Sequence, residues 1–258
     1  MRILFTICGR AGSKGIKNKN IREFAGKLLP YYTISAIDLF LKRTTWDIES
    51  DIVINSDSKE LLTMMLDNPM RTVEVIERSE ELAGDSIGKI DVIRDCLIKM
   101  QERKKYSYDM VVDLDITSPL RTVEDVENLV GTHIKNCADV TTSVTSARRN
   151  PYFNQVKRTE HGFKKVIESN YTARQQAPEI FDMNASLYAY KPDFLYAGKG
   201  VLDGYVECIE MYDTGILDLD HVNDFELMEV IATYLFEKNE EFAEVYNNIL
   251  NLNERGLI

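Results

Sequence analysis

Through the first half of the chain, short runs rich in β-branched residues alternate with amphipathic stretches, and no other feature limits the fold as strongly. Ile3 to Cys8 is followed by Tyr31 to Leu41, Ile52 to Asn55 by Lys59 to Leu66, Thr72 to Ile76 by Ile90 to Met100, and Met110 to Leu114 by Val123 to Ile134. Such alternation predicts an α/β fold with a mostly parallel sheet and helices on both of its faces. Asp139 to Val144 reads as a further strand. Ligands of such sheets bind beyond the carboxyl ends of the strands. The loops after Cys8, Asn55 and Leu114 are therefore expected to carry the chemistry.

From about Pro151 to Phe181 the pattern loosens into polar, turn-rich sequence with Lys157-Arg158, Lys164-Lys165 and Arg174. This segment predicts a protruding lobe built on a β-hairpin. Strand-like Ala185 to Tyr190, Tyr205 to Met211 and Ile216 to Leu219 follow, then helical patterns over Val222 to Glu237 and Glu241 to Leu252. A chain of 258 residues is long enough for one large domain, here 1–258, with the 151–181 lobe inside it. No apolar run approaches the roughly 18 residues that would span a bilayer, and the start lacks a signal-peptide pattern, so a cytoplasmic protein with no membrane partner is expected. The four cysteines and three histidines are scattered, which supports neither a disulfide framework nor a zinc site. The net charge of −11 is the wrong sign for coating a nucleic acid polymer. Any anionic ligand has to be met by a local basic cluster.

One such cluster follows the first strand directly: Gly9-Arg10-Ala11-Gly12-Ser13-Lys14-Gly15-Ile16-Lys17-Asn18-Lys19-Asn20. Its glycines permit tight turns and close backbone approach, its N–H groups can form an anion nest, and Arg10, Lys14, Lys17 and Lys19 add positive charge. A triphosphate would fit here; the plain alternative is a solvated turn. The Walker A pattern and the dinucleotide G-x-G-x-x-G fingerprint are both absent.

Arg10-x-x-Ser13-Lys14-Gly15 followed by Lys19-Asn20 resembles the signature loop of the acylneuraminate cytidylyltransferase (CMP-sialic acid synthetase) family, and the resemblance continues along the chain. Arg78, Glu81-Leu82-Ala83 and Asp85-Ser86 look like that family's R-x-x-E-L-A-x-D segment. Thr117-Ser118-Pro119-Leu120-Arg121 matches its T-S-P-L-R. Arg174-Gln175-Gln176-x-Pro178 and Asn184-Ala185-Ser186-Leu187-Tyr188 resemble its R-Q-Q-x-P and N-G-A-I-Y pair, and Asp218-Leu219-Asp220 its late D-x-D. Together these segments span Ile3 to Asp224.

The resemblance implies a Rossmann-like sheet of the nucleotidyltransferase type with a dimerisation lobe, and a homodimer in which that lobe reaches the neighbouring site. It implies that Arg10, Gly12, Ser13, Lys14 and Lys19 hold the CTP phosphates, with Arg10, Lys14 and Lys19 contributing to catalysis. It places Asn20, Arg78, Asp85 and Ser86 on the nucleotide. Ser118, Arg121, Arg174, Gln175, Asn184, Ser186 and Tyr188 are placed on the acidic sugar, and Asp218 and Asp220 on Mg²⁺ or Mn²⁺; Asp115, where this chain departs from the family, is a further sugar-side candidate.

Period-two spacing alone would put Asp218 and Asp220 on one face of a strand, as suits a hard cation that also takes phosphate oxygens. Their alternative role, like that of Asp224, is to cap the helix that follows. Asp113 and Asp115 form a second D-x-D, and many sialate synthetases have Gln at the Asp115 position. A carboxylate there can meet sugar hydroxyls or a second metal, and it repels a sugar carboxylate. Arg121 and Arg174 are candidates to pair with that sugar carboxylate, or else form surface ion pairs. Asp182 and Met183 stand where such synthetases often carry Arg-Pro, and Phe153 near where they often have a Lys.

The expected reaction is in-line attack of the sugar's anomeric hydroxyl on the α-phosphorus of CTP with release of pyrophosphate. Asp220 or a metal-bound water is the expected base. The alternatives are transfer to Kdo or another sugar on the same fold, and a non-catalytic nucleotide-binding regulator.

Overall fold

The computed structural model describes residues 1–12, 15–84, 87–214, 219 and 222–250. In chain order the strands are β1 (Arg2–Cys8), β2 (Glu23–Phe24), β3 (Lys27–Leu28), β4 (Glu49–Ser56), β5 (Glu74–Glu77), β6 (Met110–Leu114), β7 (Val140–Ser146), β8 (Val156–Thr159), β9 (Gly162–Lys165), β10 (Phe181–Tyr190) and β11 (Val206–Glu210). The helices are α1 (Leu29–Arg43), α2 (Lys59–Leu66), α3 (Lys89–Lys104), α4 (Val123–Asn136), α5 (Pro192–Tyr196), α6 (Val222–Lys238) and α7 (Glu240–Leu250).

Among the described residues, seven strands form one sheet in the order β11-β7-β10-β6-β1-β4-β5. Within it only β10 runs antiparallel to its neighbours, pairing Tyr188 with Asp113 on one side and with Thr142 on the other. The expected mostly parallel, Rossmann-like sheet is present. From β1 the chain moves outward through β4 to β5, then returns to lay β6 on the opposite side of β1. This reversal makes the carboxyl ends of β1 and β6 the topological switch point, where a crevice forms.

Strand period two sorts the core into two layers. Ile3, Phe5 and Ile7 of β1 pack with Met110, Val112 and Leu114 of β6 against α1, α2, α4, α6 and α7. Leu4, Val53 and Val111 face the other way, onto Ile93, Cys96, Leu97 and Met100 of α3 and Phe194 and Leu195 of α5. Helix starts are set locally. Ser58 Oγ accepts the Leu61 N–H at 3.2 Å. At α4 a capping box pairs the Asp125 N–H with Thr122 Oγ1 (3.1 Å) and the Thr122 N–H with Asp125 Oδ2 (2.7 Å), worth about 1 kcal/mol.

Within 151–181 the hairpin appears as β8 and β9, with Val156 opposite Lys165 and Thr159 opposite Gly162. Residues 216–218 of the expected strand Ile216 to Leu219 lie outside the described residues, and Leu219 is in a turn. Among the described residues no helix is long and apolar enough to cross a membrane.

Candidate active site

β1 delivers the chain into the crevice at Gly9, whose N–H donates to the Asn55 carbonyl at 3.2 Å. A Cβ on Gly9 would stand 2.5 Å from Leu61 Cδ2 and 2.9 Å from Ile116 Cδ1, both in buried residues. Only glycine lets the loop leave the sheet this close to α2. The backbone then turns through Gly12 at φ +73°, a left-handed conformation that glycine adopts without steric cost. The Ala11 N–H donates to Asp57 Oδ1 at 2.7 Å, and Ile16 plugs the far limb of the loop into the core.

Asn20 is buried, and its amide donates to the Arg10 carbonyl at 3.1 Å. It thus braces the loop from beneath. Arg10 is exposed and Lys19 half-buried. Arg78, just after β5, donates from Nε to Asn55 Oδ1 (2.8 Å) and from Nη2 to the Asn55 carbonyl (3.0 Å), which ties the arginine expected on the nucleotide to the end of β4. Ser13, Lys14, Asp85 and Ser86 lie outside the described residues.

Across the crevice, Asp113 and Asp115 end β6. Asp113 is fully buried and accepts the Thr6 hydroxyl at 2.8 Å. Asp115 Oδ1 accepts both the N–H and the hydroxyl of Thr117 at 2.7 Å. The sequence reading did not find the residue that joins them. Lys89 Nζ lies 2.7 Å from Asp113 Oδ2 and 2.6 Å from Asp115 Oδ2. Burial alone would raise the Asp115 pKa, but the Lys89 charge and the Thr117 donors outweigh it and hold the carboxyl at about 2. Burial likewise opposes the charge on Lys89, and the two aspartates reverse that and raise its pKa well above the ordinary lysine value. The ammonium occupies the point where the two carboxylates converge, so as placed the pair grips a lysine and not a second metal. One signal was available in the sequence: Lys89 is the first residue of α3, where the helix dipole disfavours a cation. A lysine in that position needs anionic company.

Arg121 is turned inward at 1% exposure. Its Nη2 donates to the carbonyls of Asp115 and Ser118, and Nη1 reaches Thr33 Oγ1 at 3.4 Å. Burial lowers its pKa to about 10. As placed, a guanidinium that burial removes from solvent, and that backbone carbonyls engage, fixes the T-S-P-L-R loop from inside.

A cavity of about 120 Å³ opens between that loop and β10, lined by Ser118, Asn184, Asp182, Met183 and Tyr212 among others. The structure thus brings Ser118 and Asn184 together. Asn184 Oδ1 accepts the Ser143 hydroxyl at 2.5 Å and the Ser186 N–H at 3.3 Å, inside a register shift between Met183 and Tyr188. Ala185 takes φ +53° there. Ser186 is fully buried, its Oγ unpartnered among the described residues. Tyr188 stacks on Tyr190 with centroids 5.9 Å apart. Arg174 and Gln175 lie apart from this cavity, exposed on the lobe, where Arg174 Nη2 donates to the Ala147 carbonyl at 2.9 Å.

The glycine-braced loop after β1 and the pocket beside the T-S-P-L-R loop thus both lie by the switch point at the carboxyl ends of β1 and β6. The profile of the Cytidylyltransferase family matches residues 4–249. The chain belongs to the cytidylyltransferase family.

Curated relatives of this cytidylyltransferase agree. Post-translational flagellin modification protein B of Campylobacter coli is 35% identical over 92% of this chain and 96% of its own. CMP-N,N′-diacetyllegionaminic acid synthase of Campylobacter jejuni is 33% identical over 90% and 95%. Among solved structures, CMP:2-keto-3-deoxy-manno-octonic acid synthetase complexed with CTP aligns with a TM-score of 0.63 at 16% identity, over 91% of this chain and 99% of that one. That last likeness is one of fold. The family read from the sequence motifs is thus borne out.

Among the described residues no three His, Cys, Asp or Glu side chains are grouped to hold a metal ion; Asp218 and Asp220 lie outside them.

Proposed function

We propose that this cytidylyltransferase transfers CMP from CTP to the anomeric hydroxyl of an acidic 2-keto sugar of the nonulosonic acid class. The observation that carries this reading is the glycine-braced loop at the carboxyl end of β1, together with the Ser118–Asn184 pocket, in a family-matched chain whose relatives include a CMP-N,N′-diacetyllegionaminic acid synthase. The sugar hydroxyl oxygen bonds to the α-phosphorus of CTP, the bond from that phosphorus to the bridging oxygen breaks, pyrophosphate leaves, and the hydroxyl proton passes to Asp220 or to water. Arg10, Lys14 and Lys19 neutralise the charge gathering on the pyrophosphate, Gly12 and Ser13 let the backbone approach it, and Asn20, Arg78, Asp85 and Ser86 serve the nucleotide. Ser118, Asn184, Ser186 and Tyr188 shape the sugar side.

The donor chemistry of Asp218 and Asp220, two carboxylates one residue apart in the sequence, suits Mg²⁺ or Mn²⁺, which also takes phosphate oxygens. When bound, the ion would add positive charge at the reacting phosphate. The reading includes a homodimer joined through the 151–181 lobe, which is supported by the lobe's exposed Val156, Phe163 and Ile167. Light scattering checks this: a dimer is expected, and a monomer with full activity contradicts it.

The deciding test is pyrophosphate release from CTP and Mg²⁺ with N-acetylneuraminic acid, N,N′-diacetyllegionaminic acid and Kdo in turn. Release with a nonulosonic acid is expected, as is its loss in Asp218→Ala with CTP binding retained. Release with Kdo alone, or with none of the three, refutes the substrate class.

A further inference from the structure

The Asp115 carboxylate poses an electrostatic difficulty for any acidic acceptor, since it sits beside the pocket and keeps its charge. Its side chain is 21% exposed and that of Lys89 31%, whereas Asp113 beneath them is fully buried. This cluster of two carboxylates and one ammonium therefore shows Asp115 and Lys89 to the crevice and conceals Asp113. A carboxylate offers about four lone-pair sites. On Asp115 three are used, by the Thr117 N–H, the Thr117 hydroxyl and the Lys89 ammonium, which leaves one for an incoming hydroxyl. The ammonium has three N–H groups and makes close contacts to two carboxylates.

The placement of Lys89 is otherwise unfavourable. It opens α3 after Gly88, which has no side chain to cap the helix, and its charge opposes the helix dipole. The adjacent Gly88 and Ile90 carry no charge, and Asp91 in the same turn accepts from Arg94 at 2.6 Å. The ion pairs with Asp113 and Asp115 account for a lysine at this position.

We propose that Lys89 is a specificity residue on the acceptor side of the crevice: its ammonium, shared with Asp113, offsets part of the Asp115 charge, so that this carboxylate accepts a sugar hydroxyl while repelling the sugar's own carboxylate less. The inference rests on the reading that the acceptor is an acidic sugar, and it assigns the tolerance for that acid to a residue outside the recognised motifs. Because Lys89 also acts through Asp115, its role is one of positioning and charge, separate from the bond-making step.

The test compares binding of N-acetylneuraminic acid and N,N′-diacetyllegionaminic acid with binding of the C1 amide of each, which has the same shape and no charge, by calorimetry on the full chain. Lys89→Gln retains hydrogen-bond donors and removes the charge. It is expected to weaken the acid at least tenfold while leaving the amide within threefold of wild type. Asp115→Asn leaves the Lys89–Asp113 pair in place and is expected to raise the preference for acid over amide at least threefold. Equal weakening of acid and amide in Lys89→Gln would show a purely structural role and overturn the proposal. Should Lys89→Gln fail to fold, an unchanged or reduced acid preference in Asp115→Asn overturns it alone. Failure of the transfer reading itself would be seen first, as wild-type protein that turns over none of the sugars.

Discussion

Ala185 takes a left-handed conformation, φ +53°, that costs a residue with a Cβ on the order of 1 kcal/mol. Its position corresponds to the Gly of the N-G-A-I-Y pattern that this segment resembles. The strain is local, because the bulge that needs the conformation also aims Asn184 at the cavity. Ala185→Gly is expected to stabilise the protein by about 0.5–1 kcal/mol, less than the full strain because glycine also loosens the unfolded chain. Thermal melting checks this, and a lower Tm would contradict it. Arg121 presents the opposite case, a charged side chain inside the protein that serves the backbone. Arg121→Ala would strip a donor from the carbonyls of Asp115 and Ser118 and leave a cavity. The cost expected in a denaturant titration is about 3 kcal/mol or more, and a loss below about 1 kcal/mol would refute the bracing role.

These two residues mark the limit of the sequence reading. The glycine loop was legible because Gly9 and Gly12 answer to local requirements, a close approach and a positive φ. The inward turn of Arg121 was not, since T-S-P-L-R is the same string whichever way the guanidinium points. Lys89 escaped for a related reason: its partners are Asp113 and Asp115, on another element, and only the packing of α3 against the sheet brings them together.

At the scale of elements, β-branched runs and amphipathic stretches gave correct strands and helices where the repeat was long enough to read. Lys59 to Leu66 and Met110 to Leu114 coincide with α2 and β6. The five-residue α5 and the two-residue β2 and β3 are too short to carry a periodic signal, and tertiary contacts define them.

The contact between α4 and β7 makes a prediction of its own. His133 is buried on α4, with Nδ1 3.0 Å from Thr141 Oγ1 and Nε2 unpartnered among the described residues. Burial lowers its pKa to about 4, so the folded protein keeps the ring neutral where the unfolded chain, near 6.5, takes up a proton. Because the folded pKa is the lower one, stability is complete above about pH 6.5 and falls as the pH drops toward 4. The total is about 3 kcal/mol. Denaturant midpoints measured across pH 4–7 should show that decline, and His133→Leu should flatten it. The same decline in the variant would assign the effect elsewhere.

For the whole molecule, the order β11-β7-β10-β6-β1-β4-β5 sets a switch point at the carboxyl ends of β1 and β6, where such sheets form a crevice. Into it the chain places a basic, glycine-braced loop, although its overall charge is −11. In the proposed reading, local charge attracts a triphosphate to a protein whose net field repels one. In the same reading, β6, β10 and the T-S-P-L-R loop offer a sugar hydroxyls, an amide and a carboxylate paired with Lys89.

The central claim is that this crevice cleaves CTP between its α- and β-phosphates and joins the α-phosphate to a sugar oxygen. Phosphorus-31 NMR of wild-type protein with CTP, Mg²⁺ and N,N′-diacetyllegionaminic acid reads that bond change directly. The account predicts equal growth of a phosphodiester resonance and of pyrophosphate as CTP is consumed. Growth of orthophosphate with CDP, or unchanged CTP beside a protein that binds it, would contradict the account.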